Sequence, residues 1–323
     1  MSDRRTVSVV IPSYRRPDRL PPLIEAFGRT SADQIVVVLD GPHPGAVDAL
    51  RALGVDRLTI LELPQNVGVA RARVAGVEAA TGDVVLVADD DVMPGADDVV
   101  EAHRRFHETT PRGVLVGYMP VAEPARPGPD DAPTRLYARE YEGAARRWEA
   151  DPGSVLGGLW GGAVSIDTGL FREAEALLPS IRMDYSEDLD LGLRLEQLGA
   201  TARFDRSVAS THLHRRGWDA FLRESAARGL AAHQLEQRWG RLPVHVAALV
   251  QGAGVQGRVA DVLARAPRAA TTVPLTVAYR LTGRLGASGP QEAVCRLARR
   301  LVAGRTYRSA RRGAAPIAAQ PAA

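Results

Sequence analysis

Three consecutive aspartates, Asp89-Asp90-Asp91, follow directly on the apolar run Val84–Val87. Like charges repel, and the end of a buried-looking strand is a costly place to gather them unless a cation neutralises them. Hard carboxylate oxygens select Mg²⁺ or Mn²⁺, ions that keep part of their water shell and are completed by substrate phosphates. A solvated acidic turn is the bland reading of the same triplet; its place at the end of a continuous hydrophobic run favours the cation. A second acidic group, Ser186-Glu187-Asp188-Leu189-Asp190, leads into LGLRLEQLG. Leu189, Leu191, Leu193 and Leu195 alternate as in a strand, yet Leu191, Leu195 and Leu198 fit a helical stripe. Ser186 as N-cap, acids at the positive end and Gly199 as the stop select a helix over 186–198. Acids there can simply partner the helix dipole; the reactive alternative is a general base, with clustering that raises the pKa of at least one member. Farther on, His212 and His214 lie two apart in an extended-looking segment and so share a side. They read either as structural histidines or as metal ligands.

Five short β-branched runs end in turn or polar residues: Val7–Ile11, Ile35–Leu39, Leu58–Leu63, Val84–Val87 and Val114–Met119. Stretches with helical spacing separate them. This alternation predicts an α/β fold with a mostly parallel twisted sheet and helices on both faces. Ligands of such sheets bind beyond the carboxyl ends of the strands, where this chain places Ser13-Tyr14-Arg15-Arg16, Asp40-Gly41, Asn66 and the aspartate triplet. The stretch 120–133 has five prolines in fourteen positions and reads as a crossing between halves. Residues 134–150 read as helix, 155–166 as a glycine-rich segment around Trp160, and Ala202–Phe204 and the surroundings of Val208 as two short strand pieces. The expected organisation is 1–119 as a first half, 120–240 as a second half of the same domain, and 241–323 as a helical C-terminal tail.

The 323 residues are 45% hydrophobic and 24% charged, which excludes disorder for the bulk of the chain. Cys295 is the only cysteine, so no intramolecular disulfide forms. The apolar run before Pro12 is too short for a signal-peptide core, and a cytoplasmic location is the default expectation. Net charge is +3, but residues 241–323 hold 13 arginines against two acids, while 1–240 hold 28 arginines against 36 acids. Two regions with different jobs follow. All 41 basic residues are arginine, a uniformity that reflects codon bias better than chemistry.

The order PSY, a strand ending in Asp-Gly, NVGVARARVAG, GDVVLVADDDVMP and EDLDLGLRL resembles the inverting family 2 glycosyltransferases of GT-A fold, a Rossmann-like architecture, across roughly residues 5–215. The resemblance implies a sugar moved from a nucleotide diphosphate donor to a hydroxyl of a saccharide, lipid-linked or secondary-metabolite acceptor. It implies that Pro12 and Tyr14 border the nucleotide base and that Asp40 accepts a hydrogen bond from the base edge. Asp40-Gly41 is also a plain turn opener. Asn66 and Gly68 then open the helix bearing Arg73, whose family counterpart approaches the donor; Val74 departs from the family's Asn, and Arg71 is the alternative source of charge. Asp91 would ligate the Mg²⁺ or Mn²⁺, with Asp89 and Asp90 addressing ribose, nucleotide or metal-bound water and Asp89 counted with the metal ligands. His212 would complete them, with His214 as rival. Asp188 aligns with the general base and Glu187 with the acid beside it. Trp160, with Gly161 next to it, reads as a sugar-stacking platform or equally as a core tryptophan.

The arginine-rich tail admits three readings: peripheral contact with the inner face of a membrane, packing on the catalytic domain or self-association, and a disordered end. It lacks the interleaved aromatics of a nucleic-acid binder. A nucleotidyltransferase would need a glycine-rich basic loop after the first strand, and Pro12-Ser13-Tyr14-Arg15-Arg16 has no glycine. An oxidoreductase would need G-x-G-x-x-G after a strand, and none of the predicted strands is followed by one. A non-catalytic sugar-nucleotide binder is the alternative from another class, and the presence of both carboxylate groups speaks against it.

Overall fold

A computed structural model describes residues 4–95, 98–122, 128–251, 257, 259, 262, 263, 266 and 268–313. The proline-rich crossing at 123–127 and the chain end at 314–323 lie outside them. Val7–Ser13 (β1) is buried at every position, as a strand covered on both faces must be. Alternation along it feeds two cores. Val10 packs with Val36, Val38 and Val85 on one face, while Val9 and Ile11 pack with Ile35, Val37 and Leu86 on the other. The remaining strands are Gln34–Leu39 (β2), Leu58–Glu62 (β3), Val84–Ala88 (β4), Val92–Pro94 (β5), Gly113–Tyr118 (β6), Ala163–Asp167 (β7) and Thr201–His212 (β8). Their order is β3-β2-β1-β4-β7-β6-β8-β5. The first four run parallel, β7 is antiparallel to both β4 and β6, β8 is parallel to β6, and β5 is antiparallel to β8. The sheet is therefore mixed, and its parallel half is the half the sequence foretold.

Helices cover both faces. Leu20–Gly28 (α1) and Val99–Thr109 (α4) bury Leu23, Ile24, Phe27, Val100 and Phe106 on one side. Val69–Glu78 (α3) and Ala132–Ala150 (α5) bury Ala72, Val77, Tyr141 and Trp148 on the other. Gly76 lets α3 lie against the sheet, since a Cβ there would stand 2.3 Å from Val10 Cγ1 and 3.0 Å from Val38 Cγ2. Ala46–Arg51 (α2), Thr168–Leu177 (α6) and Glu187–Gln197 (α7) complete this part of the fold.

The chain divides into two compact units. The first comprises Met1–Ala122, Ala138–Met183 and Glu187–His214; the second comprises Glu123–Tyr137, Asp184–Ser186 and Arg215–Ala323. Within the second, the helices are Trp218–Trp239 (α8), Val244–Val250 (α9), Arg268–Arg284 (α10) and Ser288–Gly313 (α11). Trp218 stacks on Tyr279 at 4.2 Å between ring centres, and Phe221, Cys295 and Ala298 complete that core. On α11, Cys295, Ala298 and Leu301 are fully buried and Val294 packs against the cluster. Among the described residues no helix is long and apolar enough to cross a membrane.

Candidate active site

The carboxyl ends of β1, β2 and β4 face one edge of the first unit, and the site is built there. β4 delivers the aspartate triplet, of which Asp90 and Asp91 are buried and Asp89 is one-third exposed. Asp90 accepts from Ser13 Oγ at 2.8 Å and from Arg16 at 2.8 Å. Burial pushes its carboxyl upward against the opposing pull of Arg16. Asp91 Oδ2 accepts from Arg19 at 3.1 Å and Arg16 at 3.3 Å, while its Oδ1 stands 3.2 Å from His212 Nε2. That last pair is made by register, because β5 begins at Val92 opposite His212 on β8, and Leu213 donates its N–H to the Asp91 carbonyl at 2.7 Å. His214 is buried beside His212, with ring centres 5.1 Å apart, so the two histidines do share a side.

An O···N separation of 3.2 Å suits two neighbouring ligands each about 2.1 Å from one octahedral ion. The hard carboxylate of the pair is a donor that Mg²⁺ or Mn²⁺ accepts. The structure does not, however, bring Asp89 into that pair: Asp89 Oδ1 accepts from Arg73 at 2.8 Å. Among the described residues no group of three or more His, Cys, Asp or Glu converges as a metal cluster. The chain offers two donors, which fits an ion that retains waters and takes phosphate oxygens.

Arg73 joins the two carboxylate groups. It projects from α3, is only 5% exposed, and reaches Asp89 at 2.8 Å with one nitrogen and Glu187 at 3.1 Å with the other. Burial opposes its charge, but Asp89, Glu187 and Asp188 together hold it more firmly protonated than a solvated arginine. Burial likewise pushes Asp188 up, and it pushes Glu187 up with help from the adjacent Asp188, while Arg73 pulls both down. Asp188 is fixed by two backbone donors, Gly161 N–H at 2.9 Å and Leu189 N–H at 2.8 Å. The glycines before β7 are explained by this crowding. A Cβ on Gly161 would sit 2.9 Å from Asp188 Cβ, and one on Gly162 would sit 2.6 Å from Met119 Sδ and 3.2 Å from Asp89 Oδ2. Helix α7 starts at Glu187 as expected, but Ser186 before it adopts left-handed backbone, φ 62°, rather than the extended backbone usual for a side-chain cap. Arg15 is likewise left-handed, φ 56°. Such conformations cost of order 1–3 kcal/mol and cluster where a site needs a particular chain direction.

The remaining expected residues line the same edge. Asp40 is buried, and its carboxylate accepts from Val67 N–H at 2.7 Å, Asn66 Nδ2 at 2.7 Å and Gly68 N–H at 3.0 Å. Its observed work is thus to tie the end of β2 to the turn that starts α3. Pro12 is buried within β1, whereas Tyr14 is 41% exposed beyond it, with Arg15 stacked 5.0 Å from its ring centre. Arg71 is exposed and reaches only the Ser180 carbonyl, at 3.4 Å, so of the two arginines on α3 it is Arg73 that meets the acids. Trp160 is half-buried and lies edge-on to Tyr141 at 5.4 Å, packed against the core.

Ser13, Arg16 and Arg19 hold Asp90 and Asp91; Ser13 and Arg16 stand in the polar stretch expected at the strand ends, but their pairing with the acids, and Arg19, were not anticipated. The signal was present: two arginines three apart, opening a helical turn just past the first strand, opposite three acids. Arginine's use as the sole basic residue hid it.

The model of the family described as Glycosyl transferase family 2 matches residues 8–154. Among curated proteins, the undecaprenyl-phosphate 4-deoxy-4-formamido-L-arabinose transferase of Aeromonas hydrophila is 31% identical over 107 residues, covering 30% of this chain and 32% of that protein. The uncharacterized glycosyltransferase YfnE of Bacillus subtilis is 27% identical over 114 residues, covering 34% of this chain and 29% of that protein. The chain thus spans about a third of the length of these relatives. Among solved structures, the mannosyltransferase PcManGT of Pyrobaculum calidifontis, in complex with GDP-Man and Mn²⁺, has a TM-score of 0.58 at 18% identity, over 91% of this chain and 86% of that one. TarS 1-349 of S. aureus, in complex with UDP-GlcNAc, has a TM-score of 0.50 at 14% identity, over 94% and 92%. The chain thus has the fold of these GT-A transferases, and its residues 8–154 match the family 2 glycosyltransferase model.

Proposed function

We propose that the chain transfers a sugar from a nucleoside diphosphate donor to a hydroxyl acceptor with inversion at the anomeric carbon, aided by a divalent cation. The observation that carries this reading is Arg73, which ties Asp89 of the first carboxylate group to Glu187 of the second at 2.8 and 3.1 Å, so that both serve one site. Asp91 and His212 would hold the cation, and the GDP-Man and Mn²⁺ bound by PcManGT and the UDP-GlcNAc bound by TarS support a nucleotide-sugar donor and a divalent ion. When bound, the cation would supply charge that favours departure of the diphosphate.

The chain's own residues do the rest. Tyr14 offers an exposed ring to the base, and Arg16 and Arg19 stand where a diphosphate would lie beside Asp91. Asp188 takes the proton of the attacking hydroxyl. Its two backbone hydrogen bonds fix its direction, and burial raises its carboxyl above the usual carboxylate range. Glu187, held by Arg73, keeps a second carboxylate beside it, and its own pKa is raised by burial and by Asp188. Attack from the side opposite the leaving group inverts the anomeric centre.

The test is Asp188→Asn, assayed against a panel of nucleotide sugars with Mn²⁺ and with the product anomer read by NMR. Turnover falls at least about 100-fold while the donor Kd changes less than about two-fold. Unchanged turnover, or a product of retained configuration, overturns the mechanism.

A further inference from the structure

The second unit carries a helix that packs Leu275 and Tyr279 inward and also shows an aliphatic stripe on its outer face. Along α10 the inward positions include Thr271 and Tyr279, both buried, with Thr276 and Thr282 half-buried and their hydroxyls turned onto the backbone carbonyls of Thr272 and Ala278. The outward positions are Val273, Val277 and Leu281, 59%, 50% and 52% exposed at successive turns, and then Leu285 at 81% just past the helix. Arg280 and Arg284 stand on the same exposed face, and neither has an acidic partner among the described residues. A surface helix ordinarily turns its aliphatic side chains inward, and a continuous apolar stripe in water marks an interaction surface.

The geometry points to the surface of an anionic phospholipid bilayer as the occupant. Aliphatic side chains interleaved with unpaired guanidiniums suit a layer whose headgroups are negative and whose interior is hydrocarbon. The region has the matching electrostatics, with 13 arginines against two acids over 241–323, and one of those acids, Glu292, is buried. A second copy is a poorer occupant. A two-fold contact through this stripe would set Arg280 and Arg284 against their own counterparts. A nucleic acid is poorer still, since the stripe has no aromatic ring on which a base could stack. Of the three readings that the sequence left for the tail, the exposed face of α10 favours the membrane surface.

The experiment uses the full chain and sedimentation with vesicles of phosphatidylcholine alone or with 30% phosphatidylglycerol. Binding is expected to the anionic vesicles only and to weaken with added salt. Arg280→Glu/Arg284→Glu and, separately, Val277→Ser/Leu281→Ser each lower the partition coefficient at least about ten-fold, given the contribution of each charge and each buried apolar group at an interface. All four positions are exposed, so melting temperatures stay near wild type, and a folded variant that binds like wild type overturns the proposal. So does failure of the wild-type chain to bind anionic vesicles, or a wild-type dimer in light scattering that the serine variant dissociates. None of these readouts depends on transfer activity, so the outcome is separate from that of the proposed chemistry.

Discussion

Replacing Arg73 by Met tests whether the two carboxylate groups form one electrostatic unit. The substitution keeps the apolar stem of a side chain that is 5% exposed but removes its charge from between Asp89 and Glu187, 14% exposed, with Asp188 adjoining. Breaking a buried pair by removing one partner costs about 3–5 kcal/mol, because the remaining charge stays uncompensated. Asp89 is one-third exposed and recovers some hydration, which puts the expectation near the lower end, about 3 kcal/mol. For a unit of roughly 150–250 residues that corresponds to a Tm lower by about 6–12 °C. Arg73→Lys recovers only part of the loss, since an ammonium cannot bridge two carboxylates as a guanidinium fork does. The loss depends on pH in a defined sense. With Arg73 gone, Glu187 and Asp188 keep the upward push of burial and lose the opposing cation. Groups whose folded pKa lies above the unfolded value stabilise at low pH and lose that contribution as pH rises through the folded value. The gap between wild type and variant is therefore widest above neutrality and narrows toward pH 5. Calorimetry at pH 8 and pH 5.5 measures it. A Tm within about 2 °C of wild type at pH 8, or a gap that widens at pH 5.5, refutes the shared unit.

Two further predictions follow from groups outside that bridge. His103 and His107 on α4 both contact Ser165 Oγ, at 2.7 and 2.8 Å, and burial pushes their pKa values down to about 3 and about 4. The unfolded chain then binds protons that the folded one refuses, so stability is lost as pH falls below about 6.5 toward those values. A His103→Gln/His107→Gln variant flattens the Tm–pH curve between pH 7 and 5; an equally steep curve would show that the pair does not govern it. Arg19→Ala removes a cation 3.1 Å from Asp91 whose own side chain is 34% exposed, so the effect is modest. Mn²⁺ titrated into the nucleotide-free protein and followed by electron paramagnetic resonance binds roughly two- to five-fold more tightly, and equal or weaker binding contradicts a competition between guanidinium and ion at Asp91.

Five strands were legible because each is a short, nearly continuous apolar run, and their observed ends fall within two residues of the expected ones. β7 was not, since AVSID follows two glycines and reads as loop; its pairing with β4, from Ala163 beside Ala88 to Asp167 beside Val84, and with β6 makes it a strand. β8 reads as two pieces because its burial is intermittent, and the ladder to β6 shifts register between Gly117 and Tyr118. The candidate residues show the same division. Asp89–Asp91, Glu187 and Asp188 are visible as unusual chemistry in the sequence, while Arg16 and Arg19 are indistinguishable by type from the other arginines until a structure sets them against Asp90 and Asp91.

The insertion of β7 explains how acids nearly a hundred residues apart meet. A strand parallel to β4 at this place would start beside Val84, at the edge remote from the aspartates. Running antiparallel, β7 starts beside Ala88, so the preceding Gly161 and Gly162 arrive at the carboxyl end of β4, where Gly162 accepts a hydrogen bond from Asp89 N–H at 3.1 Å and Gly161 donates to Asp188. The glycine pair is thus the splice between the two carboxylate groups on the backbone side, as Arg73 is on the side-chain side. Two independent ties, one of hydrogen bonds and one of ion pairs, hold like charges together without a ligand. The same arrangement fixes Asp188 in direction while burial raises its carboxyl, as the proposed proton removal from a hydroxyl requires.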